Sequence, residues 1–294
     1  MAFNSLMIRL AAEALAWAPP TPSIVELGNQ TFKPRGAILS EIREYLTRQS
    51  WRWDATGFDA ITRLTGEEKL RASSQFLRTI GYGPYTCIDV NDRYGAVQMD
   101  LNLELAIAHG FTDTFDVVTN NGTGEHVFDQ ASVFRNMHKL AKLGGLFLHV
   151  LPFHNYTNHG FYNFQPVLFH DLARANGYEL LKLSIATAIG DEVAFLPNAI
   201  GDTTRKIKSH PLADAIARST AWPGWRDIKP DHLARSRRNL GKAMRSLSVK
   251  RANILVVAVM RKTTDSPFRY PMQGMYSDAN ISSAEIAQNY GQSK

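Results

Sequence analysis

The sequence predicts an α/β protein built around a doubly wound, mostly parallel sheet, and three observations carry that prediction. Short apolar runs recur along the chain, and each ends in glycine, a carboxylate or an amide. They are Ile24-Val25-Glu26-Leu27 before Gly28, Thr86-Cys87-Ile88 before Asp89, Ala96-Val97-Gln98-Met99 before Asp100, and Phe115-Asp116-Val117-Val118 before Thr119-Asn120-Asn121-Gly122. Polar groups at the carboxyl ends of parallel strands sit where such a sheet opens into a ligand crevice. After the last of these runs Val133, Phe134, Met137, Leu140 and Ala141 repeat at helical spacing. Finally, 294 residues of which 44% are hydrophobic can bury one sheet between two helical layers.

Taken in order, residues 6–18 are too short and too interrupted, by Arg9 and Glu13, for a signal peptide or membrane span, and read as an amphipathic helix ending at Pro19-Pro20. The first strand covers residues 23–27. Gly28 and Asp89 then stand about 60 residues apart, whereas one βαβ unit takes about 30, so an insertion is expected. It reads as helical: Ala37, Ile38, Ile42, Tyr45 and Leu46 share one repeat, and a second run covers 67–80 before Gly81. Trp51-Arg52-Trp53 lies between the two, as packing or as a lid. Leu143-Gly144-Gly145 is expected to end the helix that begins near Val133, ahead of a buried strand at 146–151. Two more strands are expected at 178–186 and 253–260. The layout is an N-terminal helix (1–22), a main domain (23–265) with insertions at 33–80 and 187–251, and a tail (266–294).

The segment from 115 onward resembles the second half of class I S-adenosylmethionine-dependent methyltransferases. The residues that carry the likeness are Phe115-Asp116-Val117-Val118, Glu125-His126-Val127, Gly144-Gly145, Pro152, His159, Phe164, Pro166, Phe169, Leu172 and Gly177. They match closely over about a fifth of the chain, and more loosely from about 23 to 186 and at the last strand. The resemblance implies a Rossmann-like, seven-stranded doubly wound sheet whose last strand is antiparallel, and S-adenosylmethionine as cofactor. It assigns Asp89 to the ribose hydroxyls and Asp100, with Leu101 beside it, to the adenine. Glu26, Gly28 and Asn29 then form the first turn, while Asn121 positions the donor and Glu125 faces the methionyl ammonium or fixes His126. Asn29-Gln30-Thr31-Phe32 departs from the family's glycine-rich loop. Asp89 and Asp100 are also ordinary turn residues in the absence of such a ligand.

Histidines crowd the loop after the fifth strand, where His154 and His159 stand near Tyr156, Asn158 and Tyr162. A neutral imidazole can take the proton of a methyl acceptor, so His154 or His159 is the expected base and Tyr162 a weaker candidate. Either histidine can equally serve to satisfy buried groups. No metal is expected, because the pair His154 and His159 has no carboxylate run beside it and no cysteine is near.

The single cysteine, Cys87, excludes an intrachain disulfide and fits a reducing cytoplasm. Charge is local: residues 226–251 hold nine Lys or Arg against two Asp, a surplus of seven, while the whole chain carries +6. That segment suits an anionic substrate, nucleic acid or an anionic surface, or is simply a solvated face. No aromatic interleaves 235–251, which favours a small-molecule acceptor, a sugar or anionic metabolite, over nucleic acid. A non-catalytic module of the same fold is the competing reading. Motifs for nicotinamide binding, for a P-loop and for a nucleophile elbow are missing.

Overall fold

The computed structural model describes residues 2–33, 36–156, 159–187, 192–194 and 253–273. Among the described residues ten strands and eight α-helices run in the order β1 (Ala2–Phe3), α1 (Ser5–Ala14), β2 (Ile24–Leu27), β3 (Thr31–Phe32), α2 (Gly36–Thr47), α3 (Ala55–Thr62), α4 (Gly66–Leu70), α5 (Ser73–Ile80), β4 (Tyr85–Asp89), β5 (Val97–Gln98), α6 (Leu105–Ala108), β6 (Phe115–Asn121), α7 (Gln130–Leu140), β7 (Ala141–His154), α8 (Pro166–Asn176), β8 (Glu179–Thr187), β9 (Glu192–Ala194) and β10 (Ile254–Arg261).

The main sheet has the order β5-β4-β2-β6-β7-β10-β8-β9. Strands β2, β4, β5, β6 and β7 are mutually parallel, and β10 runs antiparallel to both β7 and β8. This is the seven-stranded Rossmann-like sheet with an antiparallel last strand and a helical insertion after β2, widened by the three-residue edge strand β9, which pairs with β8. Because successive side chains of a strand point to opposite faces, β10 contributes to both halves of the core. Leu255, Val257 and Val259 join α1, α2, α3 and α5 on one face, and Val256, Ala258 and Met260 join α7 and α8 on the other. Each of these valine, leucine and methionine side chains, fully removed from water, stabilises the fold by about 1.5–3 kcal/mol.

Local chemistry fixes the helix ends. Asn4 caps α1, its side-chain oxygen accepting from Met7 N–H at 3.1 Å, and Asp129 caps α7 through Ser132 N–H at 3.0 Å. At the other end of α7 the buried Lys262 Nζ donates to the carbonyls of His138 and Ala141 at 3.1 and 3.0 Å, satisfying groups the helix leaves unpaired.

Three sequence expectations shift. The helix before β7 ends at Leu140, and the glycine pair falls inside β7 instead of stopping the helix, with Gly144 at φ +81° and its N–H donating to Lys262 O. The run at 67–80 breaks at Arg71-Ala72 into α4 and α5. Strand β5 keeps only two exposed residues, so Asp100 lies beyond it in a turn. Trp51 and Trp53 pack partly buried against the core, Trp53 edge-on to Phe58 at 5.8 Å. Asn158, the basic segment 226–251 and residues 274–294 fall outside the described residues.

Candidate functional site

The strand order turns at β2: the next strand of the main sheet, β4, lies on one side of it and β6 on the other. In open α/β sheets ligands bind at the carboxyl ends of the strands at such a point. Register does the rest. Leu27 pairs with Ile88 on β4 and with Asn120 on β6, so the next residue of each strand, Gly28, Asp89 and Asn121, arrives at one level. A crevice of about 230 Å³ opens there, lined by Gly28, Asn29, Asp89, Asp100 and Leu101 among the expected residues. Gln30, Val90, Asn102, Gly122, Thr123, His126 and Val127 complete its wall. The volume is below the roughly 300 Å³ at which ligand pockets usually begin.

Hydrogen bonds fasten the first turn to its neighbours. Gly28 has φ +81°, where a side chain is strained, and an added Cβ would overlap Thr123 Oγ1 and stand 2.8 Å from Thr123 Cγ2. Thr123 Oγ1 itself donates to Leu27 O at 2.6 Å. Asp89 Oδ2 accepts from Asn29 N–H at 2.7 Å, and its Oδ1 accepts from Asn91 N–H and Nδ2 at 3.2 and 2.6 Å. A carboxylate has about four acceptor sites, so three of them are used within the protein. One hydroxyl of a diol can join Asp89 directly, and a second requires the Asn91 amide to move. Asp100 Oδ1 accepts from Asn102 N–H and Nδ2, both at 2.8 Å, and its Oδ2 stands outside those bonds.

The altered loop is a strand. Thr31-Phe32 forms β3 and pairs in parallel with β1, and Phe32 stacks into Phe3 and Phe76 at centroid distances of 6.3 and 5.1 Å. Gln30 is buried, donating Nε2 to Asn121 O at 2.8 Å and accepting Ser73 Oγ at its backbone oxygen. Gln30 Oε1 and Asn121 Oδ1 are buried acceptors with no donor among the described residues. Unpaired buried acceptors beside a ligand crevice are what a cationic or N–H-bearing ligand would satisfy, so these residues fit the methionyl end of a cofactor in kind.

Glu26 does not line the crevice. It shares the parity of Ile24 and is buried, its Oε2 accepting from Tyr85 OH at 2.7 Å while Oε1 has no partner among the described residues. Burial pushes its pKa up to about 7, with the Tyr85 hydrogen bond opposing.

A second group stands at the mouth. Glu125 lies in a 3₁₀ turn (Gly124–His126) with 0% exposure, and among the described residues neither carboxylate oxygen has a hydrogen-bond partner. Its Oε1 is 3.7 Å from His126 Nε2 and 3.5 Å from His159 Nε2, and the two imidazoles meet edge to face at 5.0 Å. The loop is held to this turn because Phe161 N–H donates to Glu125 O at 2.7 Å and Gly160 leaves no room for a Cβ, which would lie 2.8 Å from that oxygen. Burial raises the Glu125 pKa to about 7 and lowers those of His126 and His159, the neighbouring His159 adding to the effect on His126.

Of the expected proton-handling residues, only His159 joins this group. His154 ends β7 opposite Ile254, its ring 6.3 Å from Phe153. Tyr162 OH donates to Phe128 O at 2.8 Å and so ties down the loop. His126 was not singled out as reactive, although its place beside Glu125 in the resemblance was visible.

No protein-family profile matches the chain, and no curated protein does. Solved structures similar to it include a provisionally named sarcosine dimethylglycine methyltransferase from Galdieria sulphuraria, at 13% identity over 87% of this chain and 85% of that one, with a TM-score of 0.40. An S-adenosylmethionine-dependent methyltransferase from Mesorhizobium loti shares 14% identity over 87% and 97% of the two chains, TM-score 0.33. One from Archaeoglobus fulgidus shares 9% over 87% and 93%, TM-score 0.38.

Proposed function

We propose that this chain binds S-adenosylmethionine in the crevice between β2, β4 and β6 and transfers its methyl group to a small-molecule acceptor. The observation that carries the proposal is the convergence of Gly28, Asp89, Asp100 and Leu101 on one crevice at the point where the strand order turns. Asp89 would accept from a ribose hydroxyl, Asp100 from the adenine amino group, and Leu101 would cover the base. The cofactor supplies an electrophilic methyl on a sulfonium; the chain supplies alignment and, where the acceptor must lose a proton, a neutral imidazole. His126 lines the crevice and His159 is beside it, and burial keeps both imidazoles neutral at neutral pH. Phe128 and Phe161, 73% and 68% exposed and edge to face at 6.1 Å, stand near this end and offer an apolar wall to an acceptor.

The test is transfer of label from methyl-labelled S-adenosylmethionine to a panel of sugars and anionic metabolites, with His159→Gln as the comparison. The reading predicts labelled product with the wild type and slower turnover at similar cofactor affinity in the variant. One observation favours a second reading, a binding module without catalysis: Gln30 and Asn91 occupy bonding positions that a cofactor would use. Failure of the wild type to bind cofactor would favour it.

A further inference from the structure

We propose that Glu125, His126 and His159 form a binding site for a divalent first-row transition metal ion of the Zn²⁺ type. Their ligand atoms all lie within 4.8 Å of one another. The Glu125 carboxylate is wholly buried, is aimed at both imidazoles, and among the described residues has no hydrogen bond to either oxygen. The separations decide what the cluster is for. At 3.7 and 3.5 Å the imidazole nitrogens are too far from Oε1 for good hydrogen bonds. Two ligand atoms on a tetrahedral Zn²⁺, each about 2.0–2.1 Å from the ion, stand roughly 3.3–3.4 Å apart. A contraction of a few tenths of an ångström therefore brings each Glu125–imidazole separation to that of ligands on an ion, whereas hydrogen bonds need a larger one; the two imidazole nitrogens, within 4.8 Å of each other, close the remaining distance by turning the part-exposed rings.

The donor set selects the metal. Two imidazole nitrogens and one carboxylate oxygen suit Zn²⁺ and its neighbours, while Mg²⁺ and Ca²⁺ prefer oxygen alone. Three protein ligands leave a coordination position open. Glu125 closes the site from the protein side, and the side chains of His126 and His159 are 44% and 35% exposed, so the open position faces solvent. Since His126 also lines the crevice, an ion held here would stand at its wall and could hold an oxygen of a second ligand. With the ion bound the imidazoles are ligands and no longer proton acceptors, so metal loading would replace their acid–base role. The site itself does not depend on methyl transfer.

The experiment uses the full chain stripped of metal with a chelator and titrated by calorimetry with ZnCl₂, and separately with MgCl₂, at neutral pH. The proposal predicts one Zn²⁺ per chain and at least about tenfold weaker binding in His159→Ala and in His126→Ala, since even outer-shell changes cost 10–100-fold at metal sites. Both histidines are part exposed, and circular dichroism verifies that each variant is folded; Glu125→Gln, which keeps the shape of the buried acid, provides a third variant. No Zn²⁺ binding by folded wild type, binding unchanged in both histidine variants, or Mg²⁺ binding as tight as Zn²⁺ would overturn the assignment. Parallel titration with S-adenosylhomocysteine reads the crevice separately, so failure of the cofactor reading and of the metal site are distinguishable.

Discussion

Replacing Glu26 by glutamine should make the protein less sensitive to rising pH. Glu26 is buried, accepts one hydrogen bond from Tyr85, and has a pKa raised from the ordinary 4.5 to about 7, chiefly by burial. Between those values the folded protein holds a proton that the unfolded chain has lost. Stability contributed by the protonated acid is thus fully present below about 4.5 and is lost as pH rises to about 7. At 1.36 kcal/mol per pKa unit, the interval corresponds to about 3 kcal/mol. Glutamine is nearly the same shape, keeps an oxygen for the Tyr85 hydroxyl and does not ionise. Urea unfolding at pH 4.5 and pH 8, followed by circular dichroism, should show the variant gaining on wild type by about 3 kcal/mol between the two conditions. An identical pH dependence in the two proteins would refute the reasoning and mean that Glu26 ionises in the folded state as readily as in water.

Gly28→Ala should cost about 2–4 kcal/mol, from the left-handed backbone together with the displaced Thr123 hydroxyl; a change in urea midpoint worth less than 1 kcal/mol would contradict the described turn. Asp89→Ala should weaken S-adenosylhomocysteine binding about tenfold or more, and Asn91→Ala should bind at least as tightly as wild type because it frees Asp89 Oδ1; calorimetry on both variants checks the pair, and equal weakening by both would remove Asp89 from the ligand site. Lys262→Met should lower the melting temperature, because the carbonyls of His138 and Ala141 lose their donor; an unchanged melting curve would show that water serves them equally well.

The frame was legible because it depends on local pattern. The unbroken apolar run along 254–260 and the apolar runs ending in polar residues state which strands are buried on both faces and where they open, and the crevice residues Gly28, Asp89, Asp100 and Leu101 come from those endings. Glu26 obeys the period of two: it has the parity of Ile24, which faces the α1 layer, so it points away from the crevice. Other features depend on contacts the chain makes far from itself. Gln30 fills its loop because Asn121 and Ser73, 91 and 43 residues away, accept and donate there. The pairing of His159 with Glu125 and His126 comes from a loop clamped onto Glu125 O, whereas the sequence left His154 and His159 as equal candidates.

The central claim is that the crevice at the carboxyl ends of β2, β4 and β6 holds S-adenosylmethionine. The most direct measurement is calorimetric titration of the full chain with S-adenosylhomocysteine, which has the nucleoside and the carboxylate but cannot react. Saturable binding at one site per chain, lost or strongly weakened by Asp89→Ala, is the predicted result. Absence of binding by folded protein, or binding indifferent to Asp89, would contradict the account.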